Sequence, residues 1–170
     1  MLTLSAKEYI MSTLELQYHQ LRLIISTIDQ LFEKITKKAH EDADLWIRLF
    51  RNKKSGNHFD LGTNDQSNNT CSHNQAFITN LTDCFQQIGK FLQLYIKHSY
   101  GIDATTDDVF IKCYQKQIIT KREMEMLEAM ALAMPLLCNR CNEHGQKIIS
   151  IELIEYYKIL SFLIDRLTIL

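Results

Sequence analysis

Five glycines and one proline in 170 residues leave the chain short of turn formers. Average usage would supply about twenty residues of these two types. A β-sandwich or barrel that needs a turn every ten residues or so is therefore excluded, and helices are expected. There is no excess of either charge, with 19 Lys+Arg against 20 Asp+Glu, so nothing draws the whole molecule toward nucleic acid or anionic lipid. Any such binding has to come from a local patch. Long apolar runs are missing too. The longest, 129–138, has ten residues, about half of what a bilayer span requires. Lys7 and Glu8 interrupt the one stretch where the apolar part of a leader could lie. The cysteines, at 71, 84, 113, 138 and 141, are odd in number and scattered. They read as reduced thiols, and a cytoplasmic location is expected.

What the chain does have is 46% hydrophobic residues arranged with a helical period. Leu14, Tyr18, Leu21, Ile25, Ile28, Phe32 and Ile35 step alternately by four and three. Phe77, Leu81, Cys84, Ile88, Phe91 and Tyr95 repeat the pattern, as do Ile149, Leu153, Tyr156, Leu160, Leu163, Leu167 and Leu170. Extra apolar neighbours, among them Ile24, Leu31, Phe85 and Phe162, widen each seam, which favours a bundle over a two-stranded coiled coil. Ser5-x-x-Glu8, Ser12-x-x-Glu15 and Thr120-x-x-Glu123 have the spacing of a capping box. Gly101 and Gly145 follow periodic segments, where a left-handed residue closes a helix. A short helix over 42–50 holding Trp46, another over 105–117 with Val109, Phe110, Cys113 and Tyr114 inward, and one over 121–141 are expected. Pro135 should kink the last of these near Ala131. The expectation is one all-α domain over 1–170, an antiparallel bundle of about five helices, with a long polar loop at about 51–75.

The densest polar cluster is Cys138-Asn139-Arg140-Cys141-Asn142-Glu143-His144-Gly145. Arg140 and His144 stand four apart and share a helix face. A guanidinium that neutralises a phosphodiester, next to an imidazole that moves protons near neutral pH, suffices for metal-free RNA cleavage through the ribose 2′-hydroxyl. The same two cations also suit the negative end of a helix that stops before Gly145. Cys138, Cys141 and His144, with Cys71 and His73, have spacing that permits a tetrahedral zinc, although buried thiols account for the cysteines equally well. Arg48, Arg51, Lys53 and Lys54, close to Trp46 and Phe50, form a basic run able to grip phosphate or to remain a solvated helix end. His19, His40, His58 and His98 have no partner at a telling spacing. No Gly-rich phosphate loop, H-E-x-x-H or nucleophile elbow is present, so no cofactor is expected and the motifs point away from ordinary metabolic catalysis.

The order of features is more specific than any one of them. A long helix, a variable loop, Phe85-Gln-Gln-Ile-Gly-Lys-Phe-Leu-Gln-Leu-Tyr95, Gly101-Ile-Asp103, Val109-Phe110, Ile118-Ile-Thr-Lys-Arg-Glu123, an Arg/His cluster and a last amphipathic helix follow in sequence. Over about residues 77–170, and loosely in the first helix, this resembles the HEPN superfamily. Within it the chain is similar to the small HEPN proteins paired with minimal nucleotidyltransferases, including nucleotidyltransferase substrate-binding proteins and toxin–antitoxin members. The resemblance implies a helical bundle, a homodimer, an RNA or nucleotide ligand and a nucleotidyltransferase partner. It also implies an R-x4-6-H motif that cleaves RNA in active members. The motif's histidine falls on His144 and its arginine on Arg140 with a gap of three, while the position at a gap of four is Asn139 and the motif's tyrosine position holds Gln146. An arginine moved by one residue turns about 100° around a helix, so binding is easier to retain than catalysis. Asn139, Arg140, Asn142, Glu143 and His144 are the expected site, with the basic run at 48–54 as a second contact. The competing expectation is a non-catalytic helical protein–protein interaction module.

Overall fold

The computed structural model describes the backbone of residues 4–52, 64–143 and 151–167. Side chains are described over most of these, but not over 45–72 or 137–150. All regular structure among the described residues is helical: α1 (Leu4–Asn52), α2 (Asn64–Tyr100), α3 (Val109–Gln115), α4 (Lys121–Glu143) and α5 (Ile151–Leu167).

The alternating seams become the core. Leu14, Leu21, Ile25 and Ile28 of α1, Phe77, Leu81, Cys84, Ile88 and Phe91 of α2, and Leu153, Leu160, Leu163 and Leu167 of α5 are all buried. Tyr18 lies 6.4 Å from Phe91 and Phe32 lies 6.2 Å from Phe77, ring centre to ring centre, so α1 and α2 run in opposite senses. Tyr157 of α5 stacks into the same place, 5.1 Å from Phe32 and 5.7 Å from Phe77, and its hydroxyl donates to the Asp29 carboxylate. Three helices thus meet at one aromatic cluster. Each ring pair adds about 0.5–1.5 kcal/mol to the area it buries.

The connections are fixed by local chemistry. Gly101, at φ 66°, donates its N–H to the Lys97 carbonyl and closes α2, as its position after the seam predicts. Thr105 and Asp108 then bond reciprocally: the Thr105 N–H donates to Asp108 Oδ1 over 2.6 Å, and the Asp108 N–H donates to Thr105 Oγ1 over 3.3 Å. Lys112 adds an ion pair to Asp108 at 2.9 Å, and these donors together hold the Asp108 carboxyl below its usual range. At the far end of α3, Gln117 takes a left-handed φ of 60°, and the Ile118 N–H reaches back to the Cys113 carbonyl. This is a Schellman closure made without glycine. It turns Ile118 and Ile119 into the core.

Thr120 and Glu123 form the expected capping box in full. The Thr120 N–H donates to Glu123 Oε1 over 2.7 Å and the Glu123 N–H to Thr120 Oγ1 over 3.1 Å. Arg166 of α5 clamps this turn from outside, donating to the Ile118 carbonyl over 3.1 Å and pairing with Glu123.

Several expectations change. Residues 42–50 belong to α1 rather than to a separate helix, because nothing between Ile35 and Asn52 is a helix breaker. Ser12 sits inside α1 and caps nothing. The polar stretch from Asn64 to Gln75 is helical, so the expected loop shortens at that end; its Ser and Asn residues disfavour a helix only mildly when no proline intervenes. Residues 53–63 lie outside the described residues. Phe162 and Tyr114, expected inside, are exposed. Phe162 precedes Leu163 and so turns about 100° off the α5 seam. α4 continues through Pro135 without ending.

Candidate functional site

The expected cluster straddles the limit of what is described. Asn139, Arg140, Asn142 and Glu143 belong to the last two turns of α4, but their side chains, with all of His144, lie outside the described residues. Arg48 and Arg51 belong to the last turns of α1 and their side chains are likewise outside, as are Lys53 and Lys54 altogether. The zinc option rests on Cys71, His73, Cys138, Cys141 and His144, and of these only the His73 side chain is among the described residues. Among the described residues no three His, Cys, Asp or Glu side chains gather as a metal site would need. Cys84 and Cys113, by contrast, are free, buried thiols in the core, and burial pushes both up to about 12.

What the described body does present is a groove between α2, α3 and α4, with a volume of about 700 Å³. Its walls follow from helix period. Thr82, Phe85, Gln86 and Gly89 fall on one face of α2, Val109 and Phe110 open α3, and Met130, Ala131, Met134 and Pro135 line α4. Phe85 and Phe110 stand 5.9 Å apart, ring centre to ring centre, and give the groove an aromatic end. Lys90 and Asp107 are its two charged residues.

Two backbone features shape this space. Gly89 interrupts a helix where glycine costs about 1 kcal/mol relative to alanine. A Cβ built there meets nothing within 4 Å, so the position opens onto free volume and is not a close helix crossing. On the opposite wall Pro135 has no N–H to donate toward the Ala131 carbonyl four residues earlier, and both residues line the groove. The arrangement has the size and balance of a small-molecule site: an apolar cleft with a few convergent polar groups.

The sequence held two signals for this groove, Gly89 in mid-helix and Pro135, but only the proline drew attention, and only as a kink. A smaller hollow, about 390 Å³, lies between α4 and α5 beside Arg122, Lys158 and the exposed Phe162. No helix among the described residues is long and apolar enough to cross a membrane. No family model, curated protein or solved structure matches the chain.

Proposed function

We propose that this chain is the helical, HEPN-like subunit of a nucleotidyltransferase-linked or toxin–antitoxin pair, and that it holds a nucleotide or a short stretch of RNA in the groove between α2, α3 and α4. The observation that carries this reading is an aromatic-ended cleft of about 700 Å³ with a lysine among its lining residues, walled by the helix that goes on to Arg140. Phe85, half-buried on the groove wall and backed by the buried Phe110, gives a base an aromatic surface to pack on, and aromatic stacking is worth about 1–3 kcal/mol per base. Lys90 supplies a point charge for a phosphate. In the same reading the bundle is antiparallel, dimeric and cytoplasmic. Where RNA is cut, Arg140 steadies the phosphate while His144 takes the proton from the attacking 2′-hydroxyl.

The experiment is a titration of the purified chain with nucleoside monophosphates and short RNA, followed by calorimetry and gel assay. Wild type should bind, and Gly89→Leu, whose Cβ meets nothing within 4 Å and whose longer side chain occupies the groove, should weaken binding at least tenfold while leaving the helix content intact. Arg140→Ala and His144→Ala should abolish any cleavage. Intact RNA together with no nucleotide binding would overturn the reading. A second reading, a protein-binding module without an active site, draws support from Leu132 and Leu136. These stand four apart on α4 and are 79% and 64% exposed.

A further inference from the structure

Most cations on the last three helices already have a partner. Lys112 pairs with Asp108 at 2.9 Å, Lys121 with Glu125 at 4.0 Å, and Arg166 with Glu123. Among the described residues of α3, α4 and α5, that leaves Arg122 and Lys158, both exposed and neither in an ion pair. They come from different helices and yet line the same hollow of about 390 Å³ between α4 and α5. Beside them the hollow is apolar. Ile159 is half-buried, and Phe162, at 80% exposure, is the most open large apolar side chain among the described residues. Helix period accounts for the assembly: Phe162 stands three residues from Ile159 and four from Lys158, so all three share one face of α5, next to the turn where Arg122 begins α4.

The remaining lining residue, Glu123, does not cancel these charges. Its carboxylate accepts from the Thr120 N–H and pairs with Arg166, and its side chain is 16% exposed. Two unpaired positive charges thus stand beside an isoleucine and an open ring. We infer that the hollow is a docking site for an acidic peptide segment that carries an aromatic or branched apolar side chain next to its carboxylates. The apolar side chain packs on Ile159 and Phe162. The Arg122 guanidinium takes one carboxylate through two parallel N–H donors, and the Lys158 ammonium takes a second as a point charge.

The charges around the hollow decide against a phosphate chain. Glu125 lies three residues beyond Arg122, Glu155 three before Lys158 and Asp165 three beyond Phe162, each about one helical turn away and each exposed. Repeated phosphates would run into these carboxylates, whereas one or two carboxylates held at fixed positions avoid them. The same acidic ring repels an anionic bilayer. Shape decides against a free small molecule, which buries about 70–90% of its surface in its pocket. Phe162 is too open to enclose one, and it suits a longer occupant that continues past the rim. None of the residues that line the hollow lines the α2–α3–α4 groove, and neither Leu132 nor Leu136 is among them, so the site stands or falls apart from both functional readings above.

Fluorescence anisotropy on the full chain tests it, the probe being a dye-labelled acidic peptide with one central phenylalanine. Wild type should bind it about tenfold more tightly than the same peptide with alanine at the centre. Arg122→Glu, Lys158→Glu and Phe162→Ala should each weaken binding about tenfold, with unchanged helicity by circular dichroism, since all three side chains are exposed. The double variant R122E/K158E should reverse the selectivity and prefer a basic peptide with lysines in place of the acids. No binding at about 1 mM peptide, single variants that bind as wild type does, or a double variant that still prefers the acidic peptide would each overturn the site. So would displacement of the peptide by a uridylate oligomer, or uptake of wild type onto phosphatidylglycerol vesicles that R122E abolishes.

Discussion

Cys84 and Cys113 show how far burial alone sets the behaviour of a reactive group. Both thiols are in the core, and loss of solvation raises them from 9.0 to about 12, with Asp83 adding a like-charge contribution at Cys84. Because the protonated form is the one that folding favours, their stabilisation is complete below pH 9 and is lost as the pH rises from 9 toward 12. The expected outcome is that an alkylating reagent at pH 8 modifies neither thiol in the folded protein, and that both react once denaturant is added. Peptide mapping of the alkylated chain checks this. Their inward placement was legible in the sequence, since position 84 lies on a four-three seam and position 113 on the face of Val109 and Phe110. The exposure of Phe162 and Tyr114 was not, because counting apolar neighbours near a seam ignores the 100° each residue adds.

Among the elements, the α3–α4 turn is the best specified. Its box at Thr120 and Glu123 was readable from spacing, whereas the left-handed Gln117 has no glycine to mark it and the clamp by Arg166 comes from the last helix, 43 residues beyond Glu123. Arg166→Ala removes a bond to the Ile118 carbonyl and the pair with a largely buried Glu123 carboxylate. We expect a loss of about 1–2 kcal/mol, the low end for a partly exposed charged hydrogen bond, seen as a lower urea midpoint with an unchanged slope. α1 and α2 carry the opposite lesson. Their seams announced helices, but the reach of α1 on to Asn52 and of α2 back to Asn64 did not show, since polar residues without proline extend a helix silently.

Viewed as one object, the bundle was legible because scarce glycine and proline leave helices as the main way to satisfy the backbone, and because three seams demand mutual burial. The groove was not, since it is space left between helices and no residue type marks an absence. Among the described side chains, those of α1 that join the core extend from Leu14 to Ile35, although the helix itself has 49 residues and is about 73 Å long. After Thr36, the described side chains at 37, 39–41, 43 and 44 are exposed. Local opening free energy tracks buried apolar contact, so amides over 37–44 should exchange with deuterium well before those over 14–28, and mass-resolved exchange would detect the step. Uniform protection along the helix would contradict it. Were that step seen, the longest rod in the molecule would work at two speeds, held like a keel from Leu14 to Ile35 and looser over 37–44, so that strain applied beyond Ile35 would spend itself before it reached the aromatic cluster.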